Sequence, residues 1–114
     1  MSNNMNVSPI ACDLTVMDKA QRERHEQVGR RLFASVQGVE ELADGYAFRF
    51  PAETDVIADM GRFVAYERLC CPFFDFAIEV PRERGPVTLR LTGREGVKPF
   101  LEAELVSAVN AAPG

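Results

Sequence analysis

The chain has 114 residues, of which 46% are hydrophobic and 26% are charged. This composition predicts one globular domain and excludes a disordered chain, a coiled coil and collagen. Thirteen Lys and Arg residues against 17 Asp and Glu residues give a net charge of −4, so we expect no nucleic-acid partner, because an acidic protein repels a polyanion. The sequence contains neither the run of about 18 apolar residues that a membrane span requires nor a basic and apolar leader. We therefore expect a cytoplasmic protein with no membrane partner.

Capping residues predict where the first helix begins. Thr15 and Asp18 have the spacing of a capping pattern, a hydroxyl at the N-cap followed three positions later by a carboxylate. The Gln, Arg and Glu residues that follow favour a helix to about Val36. Residues 1–11, which precede this segment, are predicted to form a flexible arm.

A hairpin is predicted after the first helix. Residues 39–43 and 46–50 read as strands, and the pair Asp44-Gly45 between them is typical of a tight turn with positive φ angles. The aromatic side chains of the second strand alternate with Ala47 and Arg49, so they are expected to share one face.

A second helix, a second hairpin and a third helix complete the predicted elements. Helical spacing runs over residues 55–70, and Pro72 limits this helix because the residue before a proline avoids helical geometry. Residues 74–80 and 87–92 alternate apolar and polar side chains as two more strands. An apolar stripe over residues 97–108 predicts the last helix.

These elements predict an α+β fold in the order α-ββα-ββα. We expect a single domain over residues 12–109, with a four-stranded antiparallel sheet, helices on one of its faces and a frayed C-terminus at residues 110–114. The two halves look alike, which suggests a doubled ββα unit. The far face of the sheet is polar and should meet water or a partner subunit of a homodimer; its residues are Arg49, Asp75, Glu79, Thr88 and Arg90.

The second helix directs one carboxylate toward the core. At about 100° per residue, Glu67 lies in the middle of the apolar stripe, one turn before Cys70 and Cys71. A buried carboxylate is costly unless it is protonated, paired or bound to a metal. Three interpretations stay open. Glu67 can be structural, in an ion pair with an arginine such as Arg24 or bonded to backbone amides at a loop. It can be a ligand or a base beside the cysteines, or the helical register can differ so that its side chain extends to water.

The cysteines Cys12, Cys70 and Cys71 are too few for a disulfide scaffold, and we expect them to be free thiols in a reducing compartment. The adjacent pair can simply pack in the core, as buried cysteines often do. With Cys12 it can instead form a three-sulfur site for a soft cation, or for tetrahedral zinc when His25 or Glu67 is added. Two features argue against a metal site: the cysteines lack the spacing of a zinc knuckle, and a helix C-terminus disfavours a thiolate.

Three basic side chains are candidates for supporting roles at this site. Arg24 or Arg68 could compensate the charge of the thiolates, unless a metal ion itself deprotonates the thiols. His25 is the single histidine of the sequence and is expected beside Arg24 on the first helix. A lone histidine is more often a satisfied structural residue than a ligand. Arg68 is expected to face solvent.

One motif resembles that of a known family. Glu-Arg-Leu-Cys-Cys-Pro-Phe at residues 67–73, Leu-Thr-Gly-Arg-Glu-Gly at residues 91–96 and Cys-Asp-Leu at residues 12–14 are similar to a family of small uncharacterised bacterial proteins with a Glu-Arg-x-Cys-Cys-Pro-Phe motif. The likeness extends over roughly residues 12 to 102. It implies that Cys12, Glu67, Cys70 and Cys71 act as one set, which Arg68 joins as part of the motif. The resemblance implies no particular activity.

Three hypotheses for function follow. The first is a protein that binds a thiophilic metal or metalloid, zinc or softer, through Cys12, Cys70 and Cys71 with Glu67 nearby. The second is a non-catalytic interaction or oligomerisation domain whose cysteines only fill the core. The third is a thiol-redox enzyme that uses the cysteine pair.

Overall fold

In the computed structural model, which describes residues 8–111, the elements follow the predicted order. They are α1 (Lys19–Phe33), β1 (Gly38–Leu42), β2 (Gly45–Phe50), α2 (Thr54–Cys70), β3 (Asp75–Glu79), β4 (Val87–Thr92), α3 (Val97–Leu101) and α4 (Ser107–Ala111), with a short 3-10 helix at Leu14–Val16 and a π-helical turn at Glu102–Val106. The expectations for residues 1–7 and 112–114 lie outside the described range. The α+β class is confirmed.

The four strands form one antiparallel sheet in the order β1-β2-β4-β3. Its centre is the pair β2 and β4, in which Phe48 lies opposite Leu89 and Tyr46 opposite Leu91. These two strands are the second strands of the two hairpins, which is the arrangement that a doubled ββα unit gives. The predicted four-stranded antiparallel sheet is confirmed.

The helices cover one face of the sheet. Phe48 and Leu89 on that face are fully buried. The ring of Phe33 in α1 packs edge-on against Phe48 at 5.3 Å and against Phe63 of α2 at 5.2 Å. The opposite face carries polar side chains, among them the pair Arg90 and Glu79 at 3.2 Å. A partner subunit on that polar face stays a prediction.

The first hairpin turns one residue earlier than predicted. Leu42 pairs with Gly45, so Ala43 and Asp44 form the connection and Gly45 belongs to β2. In residues 8–111, Gly96 is the one glycine with a positive φ angle, so the prediction of positive φ angles at Asp-Gly is wrong. Gly45 is needed for another reason: a Cβ atom there would collide with the carbonyl oxygen of Leu91 on the neighbouring strand.

Helix α1 begins later than predicted. The carboxylate of Asp13 accepts the backbone N–H of Thr15 at 3.0 Å and closes a short 3-10 helix instead. Asp18 is the N-cap of α1, since its carboxylate accepts the N–H of Gln21 at 2.8 Å and the Gln21 side chain accepts the N–H of Asp18 at 3.0 Å. This is a complete capping box. The helix ends at Phe33 rather than near Val36.

Residues 8–17, which we call the N-terminal strap, cross the C-terminal end of α2. The backbone N–H of Asp13 donates to the carbonyl of Cys70 at 2.8 Å, one of the carbonyls that the end of a helix leaves without an internal partner. Ile10 packs against the core, and Arg94 donates a hydrogen bond to the carbonyl of Ser8. These contacts fix the position of Cys12.

Candidate metal and thiol site

The site is built where α2 ends. The N–H of Cys71 donates to the carbonyl of Glu67 at 2.7 Å, and the backbone of Cys71 then leaves helical geometry with φ −127° and ψ 68°. Pro72 follows and excludes a helical conformation at the residue before it, as predicted. The change of direction lets the two adjacent sulfur atoms diverge, so they lie 3.9 Å apart without a bond between them.

Four side chains converge at this point. One ligand atom each from Cys12, Glu67, Cys70 and Cys71 can be chosen so that all four lie within 4.8 Å of one another. The Cys70 sulfur is 3.7 Å from Oε1 of Glu67 and 3.9 Å from the Cys71 sulfur. For zinc–sulfur bonds of about 2.3 Å, two sulfurs of a tetrahedral site lie about 3.8 Å apart. The distances from the Cys70 sulfur to the Cys71 sulfur and to the Glu67 oxygen are therefore short enough for these atoms to bind the same cation.

The sulfur atoms of Cys12 and Cys71 lie at disulfide-bonding distance, and their Cα atoms are 4.9 Å apart. The expectation of three free thiols is therefore wrong in this structure, where Cys70 is the one free cysteine. The pairing joins residues separated by 59 positions, and it depends on the strap, whose path no local pattern reveals. The structure thus holds the cluster as a disulfide with one thiol, and reduction of the disulfide would convert it to three thiols.

The thiol of Cys70 is buried, and its surroundings disfavour the thiolate. Its sulfur lies 3.6 Å from the carbonyl of Glu67 and 3.7 Å from the carboxylate of the same residue. Desolvation, and after it the negative charge of Glu67, raises the pKa of the Cys70 thiol to about 12. A thiolate there needs a positive charge, which a bound cation would supply.

The carboxylate of Glu67 points inward, as its helical phase predicts. Its partner is His25 of α1, whose Nε2 lies 2.6 Å from Oε1 of Glu67. The interpretation that pairs Glu67 with Arg24 is wrong, because among the described residues Glu67 pairs with His25 and forms no ion pair with Arg24. Arg24 and Arg68 are both exposed. Sequence phase could place Glu67 on the inner face of α2, but the choice of partner depends on how α1 lies across α2.

His25 lies in a mostly apolar setting. Its ring stacks on Phe63 with centroids 5.4 Å apart and planes 19° apart, and 10% of its side chain is exposed. Its Nδ1 is buried and has no hydrogen-bond partner among the described residues. A cleft of about 340 Å³ opens beside it between α1 and α2, lined also by Gln21, Arg24, Val28, Arg62 and Tyr66. His25 therefore connects the cleft with the cysteine cluster.

Sequence reasoning missed a second buried carboxylate on α2. Asp59 accepts two hydrogen bonds from Arg31 of α1, at 2.7 and 2.8 Å, and one from Arg62 at 3.2 Å. The Arg31 guanidinium holds the pKa of the Asp59 carboxyl below its usual value. One feature of the sequence could have indicated this carboxylate: Asp59 directly precedes Met60, a residue of the apolar stripe of α2. Arg31 and Asp59 thus form an ion pair in which the carboxylate is buried and the guanidinium group is exposed.

Comparisons of the chain with protein-family models, with curated proteins and with solved structures found no match. The resemblance to proteins with the Glu-Arg-x-Cys-Cys-Pro-Phe motif therefore stays a prediction. Within residues 8–111, no helix is both long enough and apolar enough to cross a bilayer.

Proposed function

We propose that the reduced protein binds one thiophilic metal ion, zinc or softer, through Cys12, Cys70 and Cys71, with Glu67 as a fourth ligand. The observation that carries this proposal is the convergence of the four ligand atoms within 4.8 Å. Three sulfurs and one carboxylate oxygen match the tetrahedral donor sets of zinc. Hard cations such as calcium and magnesium prefer oxygen ligands throughout.

Binding requires that the thiols lose their protons. Thiolate is the form of cysteine that ligates metals, so binding releases protons and its affinity rises with pH. The carboxylate of Glu67 lies 3.7 Å from the Cys70 sulfur and is a group that can take up a thiol proton. His25 holds this carboxylate in place through the contact of 2.6 Å. Glu67 and His25 would together present a fixed oxygen ligand to the ion.

Native mass spectrometry tests the proposal. The reduced protein is incubated separately with zinc and with cadmium, and we expect one ion bound per chain. The variant C70S/C71S should lose it. A matched control restores one thiol elsewhere, as C70S/C71S/S107C, since Ser107 is exposed; it should not recover binding. Equal binding by the wild type and C70S/C71S would contradict the proposal.

A second candidate function is thiol–disulfide exchange, favoured by the pairing of Cys12 with Cys71. Cys12 is the exposed residue of this pair and Cys71 is buried, so exchange with an external thiol would begin at Cys12. A redox-active thiol usually has a pKa well below the free value of about 8.5. The raised pKa of Cys70, about 12, argues against that residue as a nucleophile. We therefore favour metal binding over thiol–disulfide exchange.

Thiol labelling separates the two functions from core packing alone. In the reduced, metal-free protein, both functions require Cys12 to react with a maleimide under native conditions. If all three cysteines stay unlabelled until denaturant is added, they only fill the core, and the protein is better described as an interaction domain. For exchange, Cys12 must also show an apparent pKa below that of a free thiol.

A further inference from the structure

The sulfur atoms that would hold the ion are also the atoms that the structure pairs. Cys12 and Cys71 supply two of the three sulfurs of the cluster and lie at bonding distance from each other. Sulfurs joined in a disulfide carry no negative charge and are poor ligands. With the disulfide closed, a cation would keep one sulfur, that of Cys70, and the carboxylate of Glu67.

We infer that the cluster is a redox-gated cation site, in which the Cys12–Cys71 disulfide and a bound thiophilic ion exclude each other. This inference rests on the proposed function and names the regulation of the same site. The oxidant is a peroxide, and the reductant is a low-molecular-weight thiol. The gate acts in both directions: oxidation expels the ion, and reduction rebuilds the site.

The entry point for both reagents is Cys12. It is exposed, whereas Cys70 and Cys71 are 2% and 0% exposed. A peroxide or a thiol from solution therefore meets the Cys12 sulfur first. Susceptibility to oxidation follows accessibility as well as thiolate character.

A peroxide oxidises the thiolates of Cys12 and Cys71 to a disulfide in two steps. The Cys12 thiolate attacks the peroxide, its S–O bond forms as the O–O bond breaks, and the alkoxide that leaves takes up one proton. The Cys71 thiolate then attacks the Cys12 sulfur, the S–S bond forms, and hydroxide leaves and takes up a second proton to become water. The two thiolates together lose two electrons, which the peroxide gains. The ion loses two of its three sulfur ligands.

The reverse step begins with attack of an external thiolate on the Cys12 sulfur. The S–S bond breaks, Cys71 leaves as thiolate, and a mixed disulfide forms on Cys12. A second thiolate attacks the external sulfur of that mixed disulfide and frees Cys12. Two molecules of thiol become one external disulfide, and their two protons are released as the cation takes the place of hydrogen on the sulfurs.

The strap keeps Cys12 near the site after the disulfide opens. The N–H of Asp13, the next residue, donates to the carbonyl of Cys70 at 2.8 Å, and Ile10 packs against the core on the other side of Cys12. These two anchors flank Cys12 and involve no sulfur. Reduction therefore leaves the third ligand close to the other two, so the gate needs no large movement of the chain.

Cadmium affinity of the two redox forms tests the gate. Protein reduced with a phosphine and protein with a mapped Cys12–Cys71 disulfide are each titrated with cadmium against a chromophoric chelator. We expect affinity at least about 100-fold lower in the disulfide form. Equal affinity in the two forms would overturn the gate and leave the proposed function standing. Absence of binding by the reduced form would overturn the proposed function and the gate with it.

The rate of cadmium release after oxidation is a second test of the gate. Cadmium-loaded wild-type protein treated with tert-butyl hydroperoxide should release one ion per Cys12–Cys71 disulfide formed. The C12S variant, loaded at saturating cadmium, lacks the exposed sulfur, and we expect its peroxide-dependent release, measured as the difference between release with and without peroxide, to be at least about tenfold slower. Equal release rates, or peptide mapping that finds Cys12 still free after release, would overturn the inference.

Discussion

Helix α2 carries two inward-facing carboxylates, and their surroundings differ. Asp59 is 5% exposed and receives three hydrogen bonds from two guanidinium groups. Glu67 has 14% of its side chain exposed, and its one ion-pair partner within residues 8–111 is His25. On its other side Glu67 faces the thiol of Cys70 at 3.7 Å. One carboxylate is fully compensated, and the other lies between a histidine and a cluster of sulfurs.

The comparison of Asp59 with Glu67 distinguishes a buried charge that only stabilises the fold from one that belongs to a binding site. Arginine compensates Asp59 permanently, because the guanidinium group stays charged at all accessible pH values. The positive charge beside Glu67 depends on the protonation of a histidine or on a cation among the sulfurs. We therefore assign Asp59 to the packing of α1 against α2 and Glu67 to the proposed cation site. Four predictions test this contrast, in order of decreasing effect.

The largest effect is expected for Cys71→Ser. This change removes one sulfur ligand and the disulfide partner of Cys12, so cadmium affinity of the reduced protein should fall at least about 100-fold. Under oxidising conditions the free energy of unfolding should fall by about 2–4 kcal/mol, because the unfolded chain loses its cross-link. Chelator competition and urea denaturation measure the two effects. Unchanged cadmium affinity would remove Cys71 from the ligand set.

A large loss of stability without loss of binding is expected for Asp59→Asn. The amide cannot accept charge-assisted hydrogen bonds from Arg31 and Arg62 as the carboxylate does, and we expect a cost of about 1–3 kcal/mol in unfolding free energy. Cadmium affinity of the reduced variant should stay within about twofold, since no ligand is touched. A tenfold loss of affinity would show that the two carboxylates are coupled.

The opposite pattern is expected for Glu67→Gln. Cadmium affinity should fall about tenfold, because a charged ligand becomes a neutral amide. Stability should change less than in Asp59→Asn, since the neutral side chain no longer brings a buried charge next to the Cys70 thiol. The same titration and denaturation series measures both quantities. A variant that loses stability but keeps full affinity would make Glu67 a structural residue of the same kind as Asp59.

The smallest expected effect is the contribution of the Asp59 carboxylate to the pH dependence of the unfolding free energy. Its pKa in the folded state lies below the usual value because of Arg31 and Arg62. The unfolded chain therefore binds the proton more readily, and the stabilisation is complete above the unfolded pKa and is lost as pH falls through the folded pKa. Urea midpoints of wild type and Asp59→Asn should thus converge on acidification from pH 7 to about pH 3. A constant difference would contradict the assignment.

Most helices and strands of the fold can be predicted from the pattern of neighbouring residues, whereas the candidate site can be predicted only in part. Alternation predicts the strands, and helical phase predicts that Glu67 faces inward. Pro72 fixes the end of α2 through a steric effect on its own neighbour. These predictions succeed because each depends on residues a few positions apart.

The failures concern residues far apart in the chain. His25 rather than Arg24 meets Glu67 because of how α1 packs against α2, a contact between residues 42 positions apart. Cys12 meets Cys71 because the strap is anchored by a backbone hydrogen bond to Cys70, which side-chain pattern does not encode. Local turn chemistry misplaced the first hairpin as well, since Gly45 is required by the approach of β4 rather than by a φ angle.

X-ray absorption at the zinc edge, on reduced protein loaded with one equivalent of zinc, measures which atoms bind the ion. We expect three sulfur neighbours at about 2.3 Å and one oxygen or nitrogen neighbour at about 2.0 Å. In Glu67→Gln the three sulfur neighbours should remain while the lighter neighbour changes. A zinc shell made only of oxygen and nitrogen would contradict the account, because the ion would then be bound away from the cysteines.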